Sequence, residues 1–346
     1  MEIVVSSNVV CDGFSQLAEV KALLEASRRT VVIAHQNADG DAVGSLTACY
    51  ALLCAHTGAT VTAMLPDGVP DELAWLPHTD AVLDGKRDNE ACVSALQEAD
   101  VVLGTDFNVP SRVDNLSPAL TASQARKILI DHHHEPDTKS FDIVLSMPSI
   151  SSACELVYWT MRALWGREAM TPDVATSLYA GLRTDTGGMA FSNSQPSLYL
   201  AAAELVQCGI DPAAINQQIN NVFTPERLMF YGYAFSRLLT VYPAQRLALM
   251  VIHRADMEAY GVASSDLTGL INEVMRLRDT ECAVLIREEV GRVRLSFRSK
   301  TTTDVNRIAR ELFTEGGGHI HAAGATSRLS LDETVATVKR KFDIND

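Results

Sequence analysis

Residues 30–58 read TVVIAHQNADGDAVGSLTACYALLCAHTG and join an apolar strand to an apolar helix through a turn rich in acids. The run at 30–34 is short and β-branched, as in a buried strand, and the run at 41–58 is long enough for a helix that Gly58 ends. Further short apolar runs occur at 60–65, 99–105 and 127–130. Because these runs alternate with helical patterns, they predict an α/β fold with a mainly parallel sheet.

The second half of the chain predicts a separate, smaller α/β unit. The pattern between the two halves is mainly helical, and a strand at 246–252 and a hairpin around Gly291 follow it. A length of 346 residues suits two domains better than one. We therefore expect a first domain at 1–194, a helical connector at 195–240 and a smaller α/β domain at 241–346.

The composition is that of an ordinary soluble protein, with 47% hydrophobic and 21% charged residues. No apolar run reaches the roughly 18 residues that span a bilayer, and the N-terminus has no signal-peptide pattern. We therefore expect a cytoplasmic protein that does not contact a membrane. The seven cysteines include no C-x-x-C pair, which argues against a disulfide framework or a thiolate zinc site.

The net charge of −14 argues against binding to long nucleic acid, because such binding depends on neutralising phosphates. It does not exclude a small phosphate ligand. Clustered acids can hold divalent cations, and the cations can then attract the phosphate.

The turn between the first strand and the first helix carries His35, Asp39 and Asp41 within seven positions. Gly40 separates the two acids and allows both carboxylates to face one point. As an alternative, the acids could be helix caps and His35 a core histidine. A cap requires only one acid, however, and carboxylates with an imidazole suit a metal ion. The turn therefore favours a metal site, at the end of a strand where α/β sheets bind ligands.

Three other segments end in similar groups. DHHHEP (131–136) follows one apolar strand, Asp106 follows another, and Asp185 follows an apolar helix in GLRTDTGG. Alone, the histidine tract could be a solvated loop and each acid a turn residue. Together the segments bring eight candidate ligands to the ends of apolar elements: His35, Asp39, Asp41, Asp106, Asp131, His132, His133 and Asp185. Mixed Asp and His ligands without Cys indicate a pair of Mn²⁺ or Mg²⁺ ions, of the kind that clamps the oxygens of a phosphoryl displacement.

These segments resemble, in order, the successive motifs of the DHH phosphoesterase superfamily: HQNADGDAVGS (35–45), GTDF (104–107), IDHHH (130–134) and YAGLRTDTGGMAFSN (179–193). The stretch GGGHIHAAGA (316–325) resembles the signature of the superfamily's substrate-binding DHHA1 domain. ISSACEL (150–156) and LSFRSK (295–300) also fall where the superfamily has similar stretches. The chain looks most like the branch that hydrolyses short oligoribonucleotides and 3′-phosphoadenosine 5′-phosphate.

The resemblance implies a DHH catalytic domain that holds two divalent metal ions, with Mn²⁺ preferred to Mg²⁺. The first ion would be held by His35 and Asp39, the second by Asp41, His132 and Asp185, and Asp106 would bridge the two. Asp131 would orient an imidazole, as ligating histidines usually require. His133 would act on the scissile phosphate, as an electrostatic stabiliser or as the proton donor to the leaving oxygen. His134 is additional to the superfamily's motif, and we expect it to face solvent in a loop.

In the DHHA1 domain the resemblance implies a substrate site made of Arg298, Ser299, Gly316, Gly317, Gly318 and His319. Arg298 would clamp a phosphate, because a guanidinium can pair with two oxygens at once. The glycines would let backbone N–H groups approach an anion, although a glycine run can also be a flexible loop. Two departures from the usual motifs are Ala38, where many members have Pro, and FTEGGGH in place of a tighter glycine run.

The function expected from these features is two-metal hydrolysis of short oligoribonucleotides, of 3′-phosphoadenosine 5′-phosphate, or of both. Two alternatives remain open: a hydrolase of cyclic or linear dinucleotides, and a nucleotide-binding regulator that has lost catalysis. A processive exonuclease of long single strands fits poorly with the short, acidic chain. The expected partner is a short RNA or nucleotide substrate, and the resemblance is compatible with a homodimer.

Overall fold

The computed structural model describes residues 15–190, 195–220 and 223–344. The chain divides into two compact units, Met1–Val222 and Phe223–Asp346. The segment predicted as a helical connector, 195–240, contributes to both units. The N-terminal stretch assessed for a signal peptide, the end of the fourth motif and the boundary predicted at residue 194 lie outside the described residues. Among the described helices, none combines the length and the apolar character that a bilayer span requires.

The first unit is built on a six-stranded sheet in which every pair of neighbouring strands is parallel. Its strands are β1 (Arg29–Ile33), β2 (Thr60–Leu65), β3 (Val82–Asp84), β4 (Val101–Thr105), β5 (Arg126–Asp131) and β6 (Ile143–Ser146). The spatial order is β3-β2-β1-β4-β5-β6. The predicted parallel α/β fold is therefore confirmed. The chain reverses its direction of travel across the sheet between β1 and β4, which is where such sheets form ligand crevices.

Helices cover both faces of this sheet: α1 (Leu17–Ala26), α2 (Gly40–His56), α3 (Asn89–Glu98), α4 (Ser117–Ala122), α5 (Ala153–Trp165), α6 (Pro172–Asp185), α7 (Pro196–Val206) and α8 (Pro212–Asn220). Four of them begin at a side chain that accepts a backbone N–H: Asp39 caps α2, Ser152 caps α5, Thr171 caps α6 and Asp211 caps α8. In α6, Pro172 occupies the first turn, where its missing N–H costs nothing.

Helices α2 and α6 approach each other closely because glycines lie at their contact. A Cβ at Gly44 of α2 would lie 2.4 Å from the carbonyl oxygen of Ser177 on α6. A Cβ at Gly40 would lie 2.5 Å from Oγ1 of Thr184. The absence of side chains thus lets the start of α2 lie beside the end of α6, the two places that carry candidate metal ligands.

The second unit contains a mixed six-stranded sheet with helices on both faces. Its strands are β7 (Leu239–Tyr242), β8 (Leu247–Ile252), β9 (Cys282–Glu289), β10 (Arg292–Ser299), β11 (Glu315–His319) and β12 (Ala322–Ser327), in the order β11-β12-β10-β9-β8-β7. Only β8 and β9 pair in parallel. Its helices are α9 (Pro225–Tyr233), α10 (Arg254–Tyr260), α11 (Leu270–Val274), α12 (Val305–Leu312) and α13 (Leu331–Lys341). The prediction of a smaller C-terminal α/β domain is confirmed.

A buried carboxylate fixes the loop between β10 and α12. Glu281 accepts hydrogen bonds from the backbone N–H groups of Thr301, Thr302 and Thr303, at 2.9, 2.8 and 3.3 Å. Burial would raise the pKa of Glu281, but these hydrogen bonds outweigh it and lower the pKa to about 2. These hydrogen bonds therefore attach the loop that follows Arg298 and Ser299 to the residue that precedes β9.

Candidate metal centre

The predicted ligands of the first unit lie together at one edge of its sheet. His35 follows β1, Asp106 follows β4, and Asp131 is the last residue of β5. Since the carboxyl ends of parallel strands share an edge, these positions are brought together by the topology alone. The other members come from the two helices and from the segment after β5: Asp39, Asp41, His132, His133 and Asp185.

Asp106 is the central residue of the cluster. Its Oδ2 lies 3.3 Å from Nε2 of His35, and its Oδ1 lies 3.5 Å from Nε2 of His132 and 3.8 Å from Nδ1 of His133. Its backbone has φ +62°, in the left-handed region that Asp tolerates better than most residues. Its N–H donates to the carbonyl of Ile130 at 3.1 Å, which ties this turn to the neighbouring strand. One carboxylate thus reaches all three imidazoles.

The ligand atoms form three compact groups, two of which have no residue in common. His35, Asp39 and Asp106 each offer one atom within 4.8 Å of the others, and so do Asp41, His132 and Asp185. In the second group, Nε2 of His132 lies 3.8 Å from Oδ2 of Asp41 and 3.7 Å from Oδ2 of Asp185. A further group of this kind is formed by Asp106, His132 and His133. The structure therefore brings together all six residues that were predicted as metal ligands.

Asp39 is both a helix cap and a candidate metal ligand, the two roles that its sequence position allowed. Its Oδ1 accepts the N–H groups of Asp41 and Ala42, at 3.0 and 3.1 Å, and so caps α2. The same side chain belongs to the group with His35 and Asp106. Its carboxylate has two oxygens, so capping the helix leaves lone pairs for a cation.

Asp41 is held by backbone groups that the sequence reasoning missed. Its Oδ2 accepts the N–H of Ala153 at 2.7 Å, and its Oδ1 accepts the N–H of Cys154 at 2.8 Å. Both donors lie at the N-terminus of α5, which favours a negative charge. The side chain of Asp41 is only 1% exposed. The stretch ISSACEL (150–156), in which a serine precedes an apolar run, indicates the start of a helix but not the residue that this start contacts.

Asp131 and His133 form a close pair beside the two groups. Nδ1 of His133 lies 2.7 Å from Oδ1 of Asp131, which is fully buried. Within the described part of the chain, Oδ2 of Asp131 has no hydrogen-bond partner. His134 is exposed, as expected, and its carbonyl accepts a hydrogen bond from Asn108 at 2.8 Å.

The cluster retains protons at neutral pH in the absence of a cation. Burial would lower the pKa of His35 and His132, but the hydrogen bonds and charge of Asp106 outweigh it and raise these pKa values to about 9 and about 10. Burial and the charge of Asp106 raise the pKa of Asp41 to about 7. Burial and the charge of Asp41 raise the pKa of Asp185 to about 8. Burial acts in the same direction on Asp106, yet its imidazole partners hold its pKa well below the usual range.

The donor set fits divalent cations. Its carboxylates outnumber its imidazoles and include no thiolate, which suits Mn²⁺ or Mg²⁺ rather than structural zinc. The pKa values of Asp41 and Asp185 are raised because several acids share one buried site, where burial and mutual repulsion disfavour their charged forms. Bound cations would take the place of the protons that now neutralise these acids.

The predicted substrate residues of the second unit lie on β10 and β11. Nε of Arg298 donates to Oδ1 of Asn272 at 3.1 Å, and among the described residues no carboxylate forms an ion pair with it. Burial lowers the pKa of Arg298. Oγ of Ser299 donates to the carbonyl of Thr303 at 2.6 Å and lies 2.9 Å from Nδ1 of His321. His321 had not been singled out from the sequence.

The glycine run forms the edge strand β11 rather than a loop. A Cβ at Gly316 would lie 2.3 Å from the carbonyl oxygen of Ala309 on α12. Gly318 has φ +146°, and a Cβ there would lie 2.5 Å from the carbonyl oxygen of Ala322. Close packing therefore requires glycine at both positions. His319 ends this strand and is exposed.

The fold and the site define a two-domain α/β protein with a buried carboxylate–imidazole centre. The model of the DHH family, N-terminal domain, matches residues 29–182, and that of the DHHA1 domain matches residues 247–343. The chain therefore belongs to the DHH/DHHA1 superfamily, as the resemblance of its motifs implied.

Among curated relatives, the chain is 28% identical to the bifunctional oligoribonuclease and PAP phosphatase NrnA of Thermus thermophilus, over 92% of this chain and 91% of the relative. It is 28% identical to the protein of the same name from Bacillus subtilis, over 77% and 79% of the two chains. Among solved structures, an exopolyphosphatase-related protein from Bacteroides fragilis has a TM-score of 0.92 at 29% identity and covers 95% of this chain. The alignment also covers 96% of that protein.

Proposed function

We propose that this protein is a metal-dependent hydrolase of phosphoester bonds that acts on short oligoribonucleotides and on 3′-phosphoadenosine 5′-phosphate. The observation that carries the proposal is the position of Asp106, whose two oxygens face two separate groups of ligands. A shared carboxylate of this kind is typical of sites that hold two cations close together. The names of the curated relatives support the substrate class.

The cofactors proposed are two divalent cations, with Mn²⁺ preferred to Mg²⁺ because imidazole nitrogens belong to both groups. His35, Asp39 and Asp106 would hold one cation. Asp106, Asp41, His132 and Asp185 would hold the other. Such a pair, when bound, supplies Lewis-acid stabilisation of phosphoryl oxygens and lowers the pKa of water.

The protein's own acid–base chemistry would come from the pair of His133 and Asp131. The carboxylate of Asp131 accepts a hydrogen bond from the Nδ1–H of His133 and thereby fixes the orientation of the ring. Nε2 of His133 would carry the proton that goes to the leaving oxygen of the substrate.

Substrate recognition would fall to Arg298, Ser299, Gly316, Gly317, Gly318 and His319. Arg298 is suited to the phosphate of a nucleotide, because no carboxylate of the described residues neutralises it. The chain's net charge of −14 disfavours long strands, since each added phosphate increases the repulsion. Recognition of one terminal nucleotide at this site would be enough for short substrates.

The test is turnover of a matched panel in the presence of Mn²⁺: a dinucleotide RNA, a five-mer, a 24-mer, 3′-phosphoadenosine 5′-phosphate and a cyclic dinucleotide. We expect the dinucleotide, the five-mer and the phosphoadenosine to be hydrolysed faster than the 24-mer. Asp106→Ala should reduce these rates by at least about 100-fold, because it removes a group shared by both cations. Asp332→Ala, which changes an exposed acid of α13, is the matched control and should leave the rates unchanged.

Two results would contradict the proposal. Hydrolysis of the cyclic dinucleotide alone would support metal-dependent phosphoester hydrolysis but contradict the proposed substrates. Tight binding of panel members without turnover under any divalent metal would indicate a nucleotide-binding regulator instead.

A further inference from the structure

Both carboxylate oxygens of Asp41 have a backbone donor from the same helix turn. The N–H of Ala153 lies 2.7 Å from Oδ2, and the N–H of Cys154 lies 2.8 Å from Oδ1. The two donors are 112 and 113 positions away from Asp41 along the chain. A carboxylate with one hydrogen bond to each oxygen has a defined plane and still has lone pairs directed elsewhere. The start of α5 therefore sets the direction in which Asp41 can face His132.

The position of those two donors depends on Ser152. This residue is fully buried and extended, with φ −164° and ψ 163°, and its backbone leads directly into α5. Its Oγ accepts the N–H of Glu155 at 3.0 Å and so caps the helix. Without this cap, the first turn of α5 would lose the hydrogen bond that holds its N–H groups in a helical arrangement.

Glu155 stabilises the same turn from the other side. Its carboxylate is fully buried and accepts the N–H of Ser151 at 3.1 Å, together with the hydroxyl of that serine. Ser152 and Glu155 therefore hold the chain on both sides of Ala153. Neither side chain appears in the three groups of candidate ligands.

We infer that Ser152 is a positioning residue for the cation held by Asp41, His132 and Asp185. It acts through the α5 N–H groups, which orient Asp41, and it does not touch the cation itself. This inference rests on the proposed function, because the proposed function makes Asp41 a ligand of the cation. It is specific to one of the two cations, since the group of His35, Asp39 and Asp106 has no contact with α5 among the hydrogen bonds described.

The test is Mn²⁺ binding measured by calorimetry, together with the electron paramagnetic resonance signal of free Mn²⁺. The native chain should bind two ions. Ser152→Ala should lower the affinity for one ion by about tenfold, which is a usual effect of removing a group that orients a ligand. The affinity for the other ion should not change. In an Asp185→Ala background, which lacks the affected site, Ser152→Ala should change nothing further. Thr224→Ala, which removes an N-cap of the same type from α9, should leave both affinities intact.

Thermal melting of the metal-free variants shows whether each variant is folded. A folded variant with a lowered Mn²⁺ affinity has lost positioning, not folding. If Ser152→Ala does not fold, Glu155→Gln tests the same turn with a side chain of similar shape and should weaken the same ion. An equal loss of affinity for both ions, or no loss of affinity for either, overturns the positioning role and leaves the proposed function unchanged. A native chain that binds no Mn²⁺ overturns the proposed function itself.

Discussion

Gly181 shows how a residue without a side chain can shape the metal centre. It lies on α6, one helical turn before Asp185. A Cβ at this position would lie 2.2 Å from Sγ of Cys154 and 3.0 Å from Oδ1 of Asp41. Its missing side chain thus allows α6 to pass close to Asp41 and to the start of α5.

We predict that Gly181→Ala destabilises the protein, although alanine is the better helix former. The clash should cost up to about 3 kcal/mol of the free energy of unfolding, whereas alanine gains only roughly 1 kcal/mol over glycine in a helix. Mn²⁺ affinity at the group of Asp41 and Asp185 should also fall. Urea unfolding and Mn²⁺ titration measure the two effects.

The matched control for this change is Gly232→Ala. Gly232 lies in α9, and a Cβ there would meet nothing within 4 Å. This substitution should stabilise the protein by up to about 1 kcal/mol. Equal stabilisation by both substitutions would show that α6 has room at position 181.

At the residue scale, the metal ligands could be predicted because each lies at the end of an apolar run. Asp106 illustrates this, since the end of a parallel strand has a known place at the sheet edge. The contact of Asp41 with the start of α5 could not be predicted. Its donors are backbone groups more than a hundred positions away, and the side chains of Ala153 and Cys154 carry no sign of the role that their N–H groups perform.

At the scale of elements, the loop after β10 depends on one side chain that lies just before a different strand. Glu281 precedes β9 and receives three backbone N–H groups from 301–303. Its folded pKa of about 2 lies below its ordinary value of 4.5. A lowered pKa means that the ionised form stabilises the fold, fully so above about pH 4.5, and that this contribution is lost as the pH falls towards 2.

We therefore predict that Glu281→Gln lowers the free energy of unfolding of the second unit by about 2 kcal/mol at pH 7. The difference from the native chain should shrink as the pH falls from 4.5 to 3, because the carboxyl group of the unfolded chain then takes up a proton that the folded chain, with its pKa of about 2, does not yet bind. Urea unfolding followed by circular dichroism at several pH values measures this. Glu258→Gln, in an exposed pair with Arg254, should change stability little at any pH. A pH-independent difference would mean that the charge of Glu281 is not what stabilises the loop.

The elements that the sequence predicted well are those with a clear internal pattern. The strand predicted at 127–130 is β5, and the hairpin around Gly291 is the pair of β9 and β10. The short strands β3 and β6, with three and four residues, were not predicted, because so few residues carry no periodicity. The glycine run was expected to present backbone N–H groups to an anion, with a flexible loop as the alternative, and its pairing in a sheet was not predicted. A glycine-rich composition does not favour a strand, and β11 is stabilised by its hydrogen bonds to β12.

At the scale of the whole molecule, the two units can be followed separately. All three tryptophans lie in the first unit, at Trp75, Trp159 and Trp165. Tryptophan fluorescence therefore reports the unfolding of the unit that carries the metal centre. The second unit contributes only tyrosine and phenylalanine signals.

We predict that Mn²⁺ raises the melting midpoint seen by tryptophan fluorescence, and more strongly at pH 8 than at pH 6. The pKa values of Asp41 and Asp185 are raised to about 7 and about 8, so both groups hold protons at pH 6 that the cation must displace. Raising the pH removes this competition and increases the affinity. At a concentration about 100 times the dissociation constant, binding adds about 2.7 kcal/mol of stability.

Chelation of the metal should reverse this shift, and Asp106→Ala should abolish it. A shift that is equal at both pH values, or larger at pH 6, would contradict the displacement of protons by the cation.

The edge strand β11 has a consequence for motion as well as for packing. Gly316, Gly317 and Gly318 lose more backbone freedom on ordering than any other residues would, and they have no side chains to bury in return. Ordering strand β11 is therefore costly in conformational entropy. A ligand that bonds to its backbone would meet part of that cost, so binding and the rigidity of this edge are thermodynamically linked.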